Sequence, residues 1–267
     1  RTELPPYTVP EDAVALAAGI DQQKWGFWFV VRAWSRDFTS WLIHYGFLPS
    51  WDDLEELLFN TAYPVQGSEE QKTIWRAALD IGGGAQESGL TMTEEAYWWL
   101  RRNGKGRGCR VWGVKGSSYK MAERVKPGNP LDRTPSGKRI PGGLQIVSLD
   151  TDEIKETYHY RLWKARESSE SVQAGYLHAE VGEDYARQIK AQEKQVDRRG
   201  VEQWVRVGKD DHLLDAEVYC QAVVDPQWPG GGLQLLKKPK KEGQGKRPVK
   251  RTPSKNPRAR PGWYNRR

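Results

Sequence analysis

Two cysteines in 267 residues, Cys109 and Cys220, are too few and too far apart for a disulfide scaffold or a zinc ribbon. Both lie in apolar runs and read as buried thiols, which fits a reducing compartment. No stretch of about 20 apolar residues occurs, so no segment is expected to span a membrane. The N-terminus lacks the apolar core of a signal peptide. The pattern G-x-x-x-x-G-K-[ST] is absent, which excludes a P-loop ATPase within this chain. No internal repeat is visible. The chain starts at Arg1 rather than Met and is expected to be a fragment or a processed product.

Acid is scarce in one place. Residues 237–267 hold 13 Lys or Arg against a single acid, Glu242, a charge of +12. The whole chain is +7, so residues 1–236 carry −5, from 29 basic and 34 acidic side chains. The expected organisation is therefore a mildly acidic folded domain, 1–236, followed by a basic, Pro-rich tail, 237–267, that is disordered alone. The tail suits phosphate contacts through counterion release; its plainer reading is a solubilising end.

What is present in residues 1–236 is an ordered series of short periodic segments. Residues 13–20 and 25–34 read as strands joined by a turn at 21–24, and residues 39–45 as a third, which together make an antiparallel meander. Residues 51–58, WDDLEELL, have apolar positions three and four apart and predict an amphipathic helix. The nearly continuous apolar run within 71–80 predicts a buried fourth strand. A helix over 93–102 with Thr93 as its cap follows, then a fifth strand over 109–115. Residues 126–143, with four prolines and four glycines, read as a loop. Beyond it come a strand at 144–149, a helix at 151–166 capped by Asp150 or Thr151, and a short strand or hairpin near 176–179. A helix at 182–191, a strand pair within 192–207 broken at Arg199-Gly200, and a last helix at 210–224 complete the series. The fold class this order predicts is α/β: a ribonuclease H-like mixed sheet flanked by helices, with the first strand central and the fourth beside it in parallel.

Three acids stand where such a fold concentrates chemistry. Asp21 ends the run Ala13-Val14-Ala15-Leu16-Ala17-Ala18-Gly19-Ile20, Asp80 ends Ile74-Trp75-Arg76-Ala77-Ala78-Leu79, and Asp215 lies in the last helix. Open α/β sheets place their sites at the carboxyl ends of strands. Two strand-end carboxylates and one helix carboxylate suit hard divalent cations such as Mg²⁺ or Mn²⁺, which prefer oxygen ligands. A pair of ions about 4 Å apart can activate water and stabilise the leaving oxygen in phosphodiester cleavage. The plainer reading of each Asp is a turn or cap residue. His212 shares a helix face with Asp215 and is either a nitrogen ligand and proton carrier or a first-turn residue at the helix N-terminus. Asp210 and Asp211 are rivals of Asp215 as third ligand. Lys115, at the end of the fifth strand, is a candidate contact for a scissile phosphate or a solvated surface lysine. Gly82-Gly83-Gly84 matches no nucleotide fingerprint and relieves crowding after Asp80. The 13 tryptophans read mostly as core, Trp25, Trp28, Trp34 and Trp41 among them, with a few free to stack on bases.

The segments Gly19-Ile20-Asp21-Gln22, Ser40-Trp41-Leu42-Ile43-His44-Tyr45-Gly46, Trp51-Asp52-Asp53-Leu54, Leu79-Asp80-Ile81-Gly82-Gly83, Val111-Trp112-Gly113-Val114-Lys115-Gly116 and Leu214-Asp215-Ala216-Glu217-Val218-Tyr219 occur in that order. Over about residues 13–225 this resembles the nuclease half of the large terminase subunit of tailed bacteriophages, the lambda-like GpA family. The resemblance implies a two-metal endonuclease that cuts double-stranded viral DNA concatemers during packaging in the host cytoplasm. It places the metal ligands on Asp21, Asp80 and Asp215 and implies the terminase small subunit and the portal as partners. Two departures stand out: His44 where an acid is more usual, and Gly84-Ala85-Gln86 where a histidine is expected. Other readings of the same residues are a junction resolvase or integrase-like nuclease, and a non-catalytic module docking on DNA or the portal.

Overall fold

The computed structural model describes residues 2–82, 91–105, 108–117, 119–167 and 172–236. The basic tail and residues 83–90, with most of the glycine run after Asp80, lie outside them.

The chain begins with the expected meander: β1 (Ala15–Gln23), β2 (Gly26–Trp34) and β3 (Ser40–Leu48). β1 is longer than its apolar run. The ladder to β2 continues through Asp21↔Trp28 and Gln22↔Phe27, and the turn falls at Lys24-Trp25 rather than at 21–24. Gly26 allows the tight return because its φ of +144° is strained for any residue with a Cβ. Asp21 is thus a paired strand residue, not a turn residue.

Ser50 caps the next helix, α1 (Trp51–Glu55), by accepting from the Asp53 amide. The helix widens into a π-helical turn over Glu56–Asn60, closed by Thr61 N–H to the Glu56 carbonyl at 3.0 Å. A short β4 (Ala62–Pro64) and the long β5 (Gln71–Asp80) follow, then α2 (Met92–Asn103) and β6 (Arg110–Gly116). Thr91, not Thr93, caps α2; Thr93 Oγ1 instead donates to the Ile81 carbonyl at 2.9 Å. The stretch expected as a loop holds three short strands, β7 (Val125–Pro127), β8 (Leu131–Arg133) and β9 (Arg139–Leu144). Their prolines and glycines are tolerated because β7 lies at a sheet edge and β8–β9 form a separate two-stranded ribbon. β10 (Ile146–Leu149), α3 (Thr151–Glu167), β11 (Gly175–Tyr176) and α4 (Glu183–Ile189) come next. The hairpin β12 (Gln192–Val196) and β13 (Glu202–Arg206), and α5 (His212–Ala222), end the main elements.

The central sheet runs β11-β3-β2-β1-β5-β6-β10-β7, with β4 also pairing to β5. β1, β2 and β3 are antiparallel neighbours, whereas β5 lies parallel to β1 and β6 parallel to β5. This is the ribonuclease H-like order that the element series predicts. Strand alternation splits β1 between two cores. Leu16, Ala18 and Ile20 face the core that includes α1 and α2, while Ala15 and Ala17 face that of α3, α4 and α5. Asp21 shares the parity of the second set. Helix α5 lies very close to that face: a Cβ on Gly19 would stand 1.9 Å from the Ala216 carbonyl oxygen. Both cysteines are buried thiols, as their apolar surroundings predict. Among the described residues no helix is long and apolar enough to cross a membrane.

Candidate metal centre

The parallel register pairs Ile20 with Leu79, so Asp21 and Asp80 occupy the next row of adjacent strands at their carboxyl ends. Asp215 approaches from the first turn of α5, whose seat on Gly19 fixes its distance from the sheet. The three carboxylates feel one another. Burial raises Asp80 to about 7, reinforced by the negative charge of Asp21 and opposed by the Gly82 amide and Lys115. Burial likewise raises Asp215 to about 7, with Asp21 and Asp80 adding to it and Lys155 and His212 working against it. Tyr219, one turn beyond Asp215, is pushed well above the ordinary phenol range, first by burial and then by Asp80, Asp215 and Asp21. A buried cluster of mutually repelling acids is costly unless protons or cations neutralise it.

Neutralisation is partly internal. Asp21, only 3 % exposed, accepts on Oδ2 from Gln23 Nε2 at 2.7 Å and from His212 Nδ1 at 2.9 Å. That hydrogen bond, more than burial opposes it, raises the imidazole above its usual value, and the charges of Asp21, Asp210 and Asp215 add to the rise. Asp80 Oδ1 accepts from the Gly82 amide at 3.0 Å. Among the described residues no group of three or more His, Cys, Asp or Glu side chains forms a ready metal-binding cluster as it stands. Oxygen donors of this kind nevertheless fit a hard divalent cation. Both contacts on Asp21 fall on the same oxygen, Oδ2.

The rivals of Asp215 fare differently. Asp211 is the residue before α5 and its carboxylate is held by Arg206 and by Gln192 Nε2, the latter at 2.8 Å. Asp210 contributes charge to His212. Lys115 is exposed at the end of β6, close enough to Asp80 to lower its pKa. Glu217 points into the core, where its Oε2 meets Arg32 Nε at 2.6 Å, both side chains fully buried. His44 is remote from the acids in its contacts and bonds the Tyr63 hydroxyl at 2.8 Å.

Sequence reasoning missed Lys155, which is 7 % exposed on α3 and acts on Asp215. Its signal is a lysine on the helix stripe that buries Ile154 and Tyr158. Tyr219 was also missed, although its place four residues after Asp215 puts both on one helix face. Trp25, expected in the core, is 76 % exposed at the hairpin tip.

The strand order, with acids at the carboxyl ends of β1 and β5, is that of a ribonuclease H-like α/β domain. The family model for the terminase large subunit gpA endonuclease domain matches residues 1–227, and the chain belongs to that family. No curated protein matches it. The chain is similar to a mutant nuclease domain of the large terminase subunit gp2 of bacterial virus Sf6 with manganese. That similarity is 11 % identity over 79 % of this chain and 89 % of that one, at a TM-score of 0.45. It is also similar to the nuclease domain of g2p, the large terminase of bacteriophage SPP1, with bound manganese. There the identity is 12 % over 81 % of this chain and 97 % of that one, at a TM-score of 0.35.

Proposed function

We propose that residues 1–236 are a divalent-metal-dependent endonuclease that cuts double-stranded viral DNA concatemers during genome packaging in the host cytoplasm. Family membership supports the reaction class. The observation that supports the site assignment is the placement of Asp21 and Asp80 in one row at the carboxyl ends of adjacent strands with Asp215 approaching from α5. Burial first, and the neighbouring acids second, raise Asp80 and Asp215 to about 7. These three would hold Mg²⁺ or Mn²⁺, two ions in all, with His212 beside them. Bound cations would supply Lewis acidity toward the phosphodiester.

The chain's own groups account for the rest. Asp21, Asp80 and Asp215 fix the charge centre on two strands and one helix. His212, hydrogen-bonded to Asp21, holds or moves a proton at Nδ1. Lys115 offers a cation to the scissile phosphate from the end of β6. Water oxygen joins phosphorus as the bond to the 3′ oxygen breaks, and that oxygen leaves with a proton. The basic tail, 237–267, supplies phosphate attraction, and the terminase small subunit and portal are the assembly partners. Nicking of supercoiled plasmid by the purified chain, with Mg²⁺, Mn²⁺ or EDTA, tests the reading. Cleavage with either metal that disappears in EDTA and in Asp21→Asn is the expected result. A folded chain that binds DNA yet never cuts it is the docking-module outcome.

A further inference from the structure

Beside the carboxylates lies a run of rings that the proposed chemistry does not use. Asp21, Trp28 and Phe47 are cross-strand partners on β1, β2 and β3, so their side chains stand in one row on one face of the sheet. The Trp28 ring is nearly parallel to that of His212, 13° apart with centroids at 5.9 Å. Trp28 also meets Phe47, at 5.3 Å and 60°. Phe47 reaches over Gly26, where a Cβ would come within 2.6 Å of the ring, so the glycine makes its room. Phe47 is 41 % exposed. The adjoining hairpin tip carries the exposed Trp25 ring with the Lys24 ammonium 4.8 Å from its centroid. The sequence from acids to solvent is therefore His212, Trp28, Phe47, with a cation-bearing tryptophan next to it.

Trp28 is half-buried and packs against the core of α3, α4 and α5, whereas Phe47 and Trp25 are exposed beside the buried acids, where exposed rings suit a ligand. We infer that Trp28 and Phe47 form a stacking shelf for an unpaired nucleobase of the DNA strand being cut. The inference rests on the nuclease reading for the position of the phosphodiester over the three acids. A base attached beside that phosphodiester would lie toward the row that runs from Asp21 through Trp28 to Phe47, and every base has a π face for it. A base within an intact duplex has both faces covered by its neighbours, so the shelf selects a strand opened at the cut. Trp25 and Lys24 offer a further ring and a charge to the neighbouring nucleotide. The shelf is a binding and specificity feature; the reacting groups remain the acids and His212.

The test uses the full chain without divalent metal, so that binding is read apart from cleavage. Tryptophan fluorescence is titrated with a short single-stranded oligodeoxynucleotide and with the same strand made abasic at every position. Phe47→Ser is expected to weaken binding of the intact strand about tenfold, the usual scale for losing one base stack, and to leave the abasic strand unchanged. Trp28→Leu is expected to show the same selectivity. With Mg²⁺, Phe47→Ser is expected to raise KM for a substrate with an unpaired stretch at the cut and to leave kcat within about twofold, the pattern of lost uniform binding. Equal loss on intact and abasic strands, or no loss at all, overturns the shelf; no loss at all is also what a protein-covering role for these rings gives. The nuclease reading stands or falls separately, on whether Asp21→Asn stops plasmid nicking.

Discussion

At the scale of single residues the acids are separable by what already holds them. Asp21→Asn keeps the shape of the side chain and removes the charge a cation needs. Cleavage is expected to fall more than about a hundredfold, beyond the loss typical of residues that only orient a ligand. The circular dichroism of the fold is expected to stay as it was. Asp80→Asn and Asp215→Asn should match it, and pairing either with Asp21→Asn should add little, because groups that act as one unit are not additive. Asp211→Asn should leave nicking near wild type, since that carboxylate is engaged by Arg206 and Gln192. Loss of activity in Asp211→Asn with retention in Asp215→Asn would move the third ligand to Asp211. His44 gives a pH prediction of its own. Burial, helped by the charge of His178, lowers it from 6.5 to about 4. Between those values the unfolded chain binds a proton that the folded one refuses, so stability falls as pH drops through that window. The cost is absent at pH 7 and reaches about 2 kcal/mol at its acid end, once the partial exposure of the ring is discounted. His44→Gln should flatten that part of the curve when urea unfolding is compared at pH 7 and pH 5.

At the scale of elements, α5 is the part that must be placed. Two features place it. Gly19 lets its backbone lie on β1, and Arg32 on β2 ties Glu217 into the core, with the Tyr185 hydroxyl donating to the other Glu217 oxygen at 2.5 Å. Burial opposes the Arg32 charge, but Glu217 more than restores it and holds the guanidinium well above its usual pKa. Glu217→Gln leaves Arg32 buried without its counter-charge and is expected to cost about 3–5 kcal/mol in chemical denaturation. Replacing both, Arg32→Met with Glu217→Leu, should recover most of that loss, because no unpaired buried charge remains. If the double variant is no more stable than the single one, the pair is doing more than cancelling its own charges. Gly19→Ala should displace α5 and lower both melting temperature and cleavage, since its Cβ has no space against the Ala216 carbonyl. Asp215 rides on that helix, so activity is expected to fall before the fold is lost.

At the scale of the whole molecule, the charge division makes the final prediction. A segment of +12 follows a domain of −5, so the tail is expected to supply much of the non-specific attraction to DNA. Deleting residues 237–267 should weaken duplex affinity and flatten the plot of log affinity against log salt, while plasmid nicking at low salt persists. An unchanged slope would assign the tail to a protein partner or to solubility instead.

The sequence by itself determined the order of the central elements. Its short apolar runs set β1, β2, β3 and β5, and β5 spans Gln71–Asp80, the expected residues. It also singled out Asp21 and Asp80, because an acid closing an apolar run is visible without coordinates, and Asp215 as a helix carboxylate on one face with His212. What it could not determine lies in contacts between distant segments. The turn after β1 moved because a ladder partner, Trp28, keeps Asp21 paired. The strands β7, β8 and β9 were hidden because edge position, a tertiary property, decides whether proline and glycine are tolerated. Lys155 looks like any helix lysine until α3 packs beside α5 and turns it toward Asp215. Only the tertiary structure shows Asp211 held by Arg206 and Gln192 while Asp215 lies near Asp21, Asp80, Lys155 and His212. Local pattern encodes which atoms can do chemistry; only the folded chain decides which of them meet.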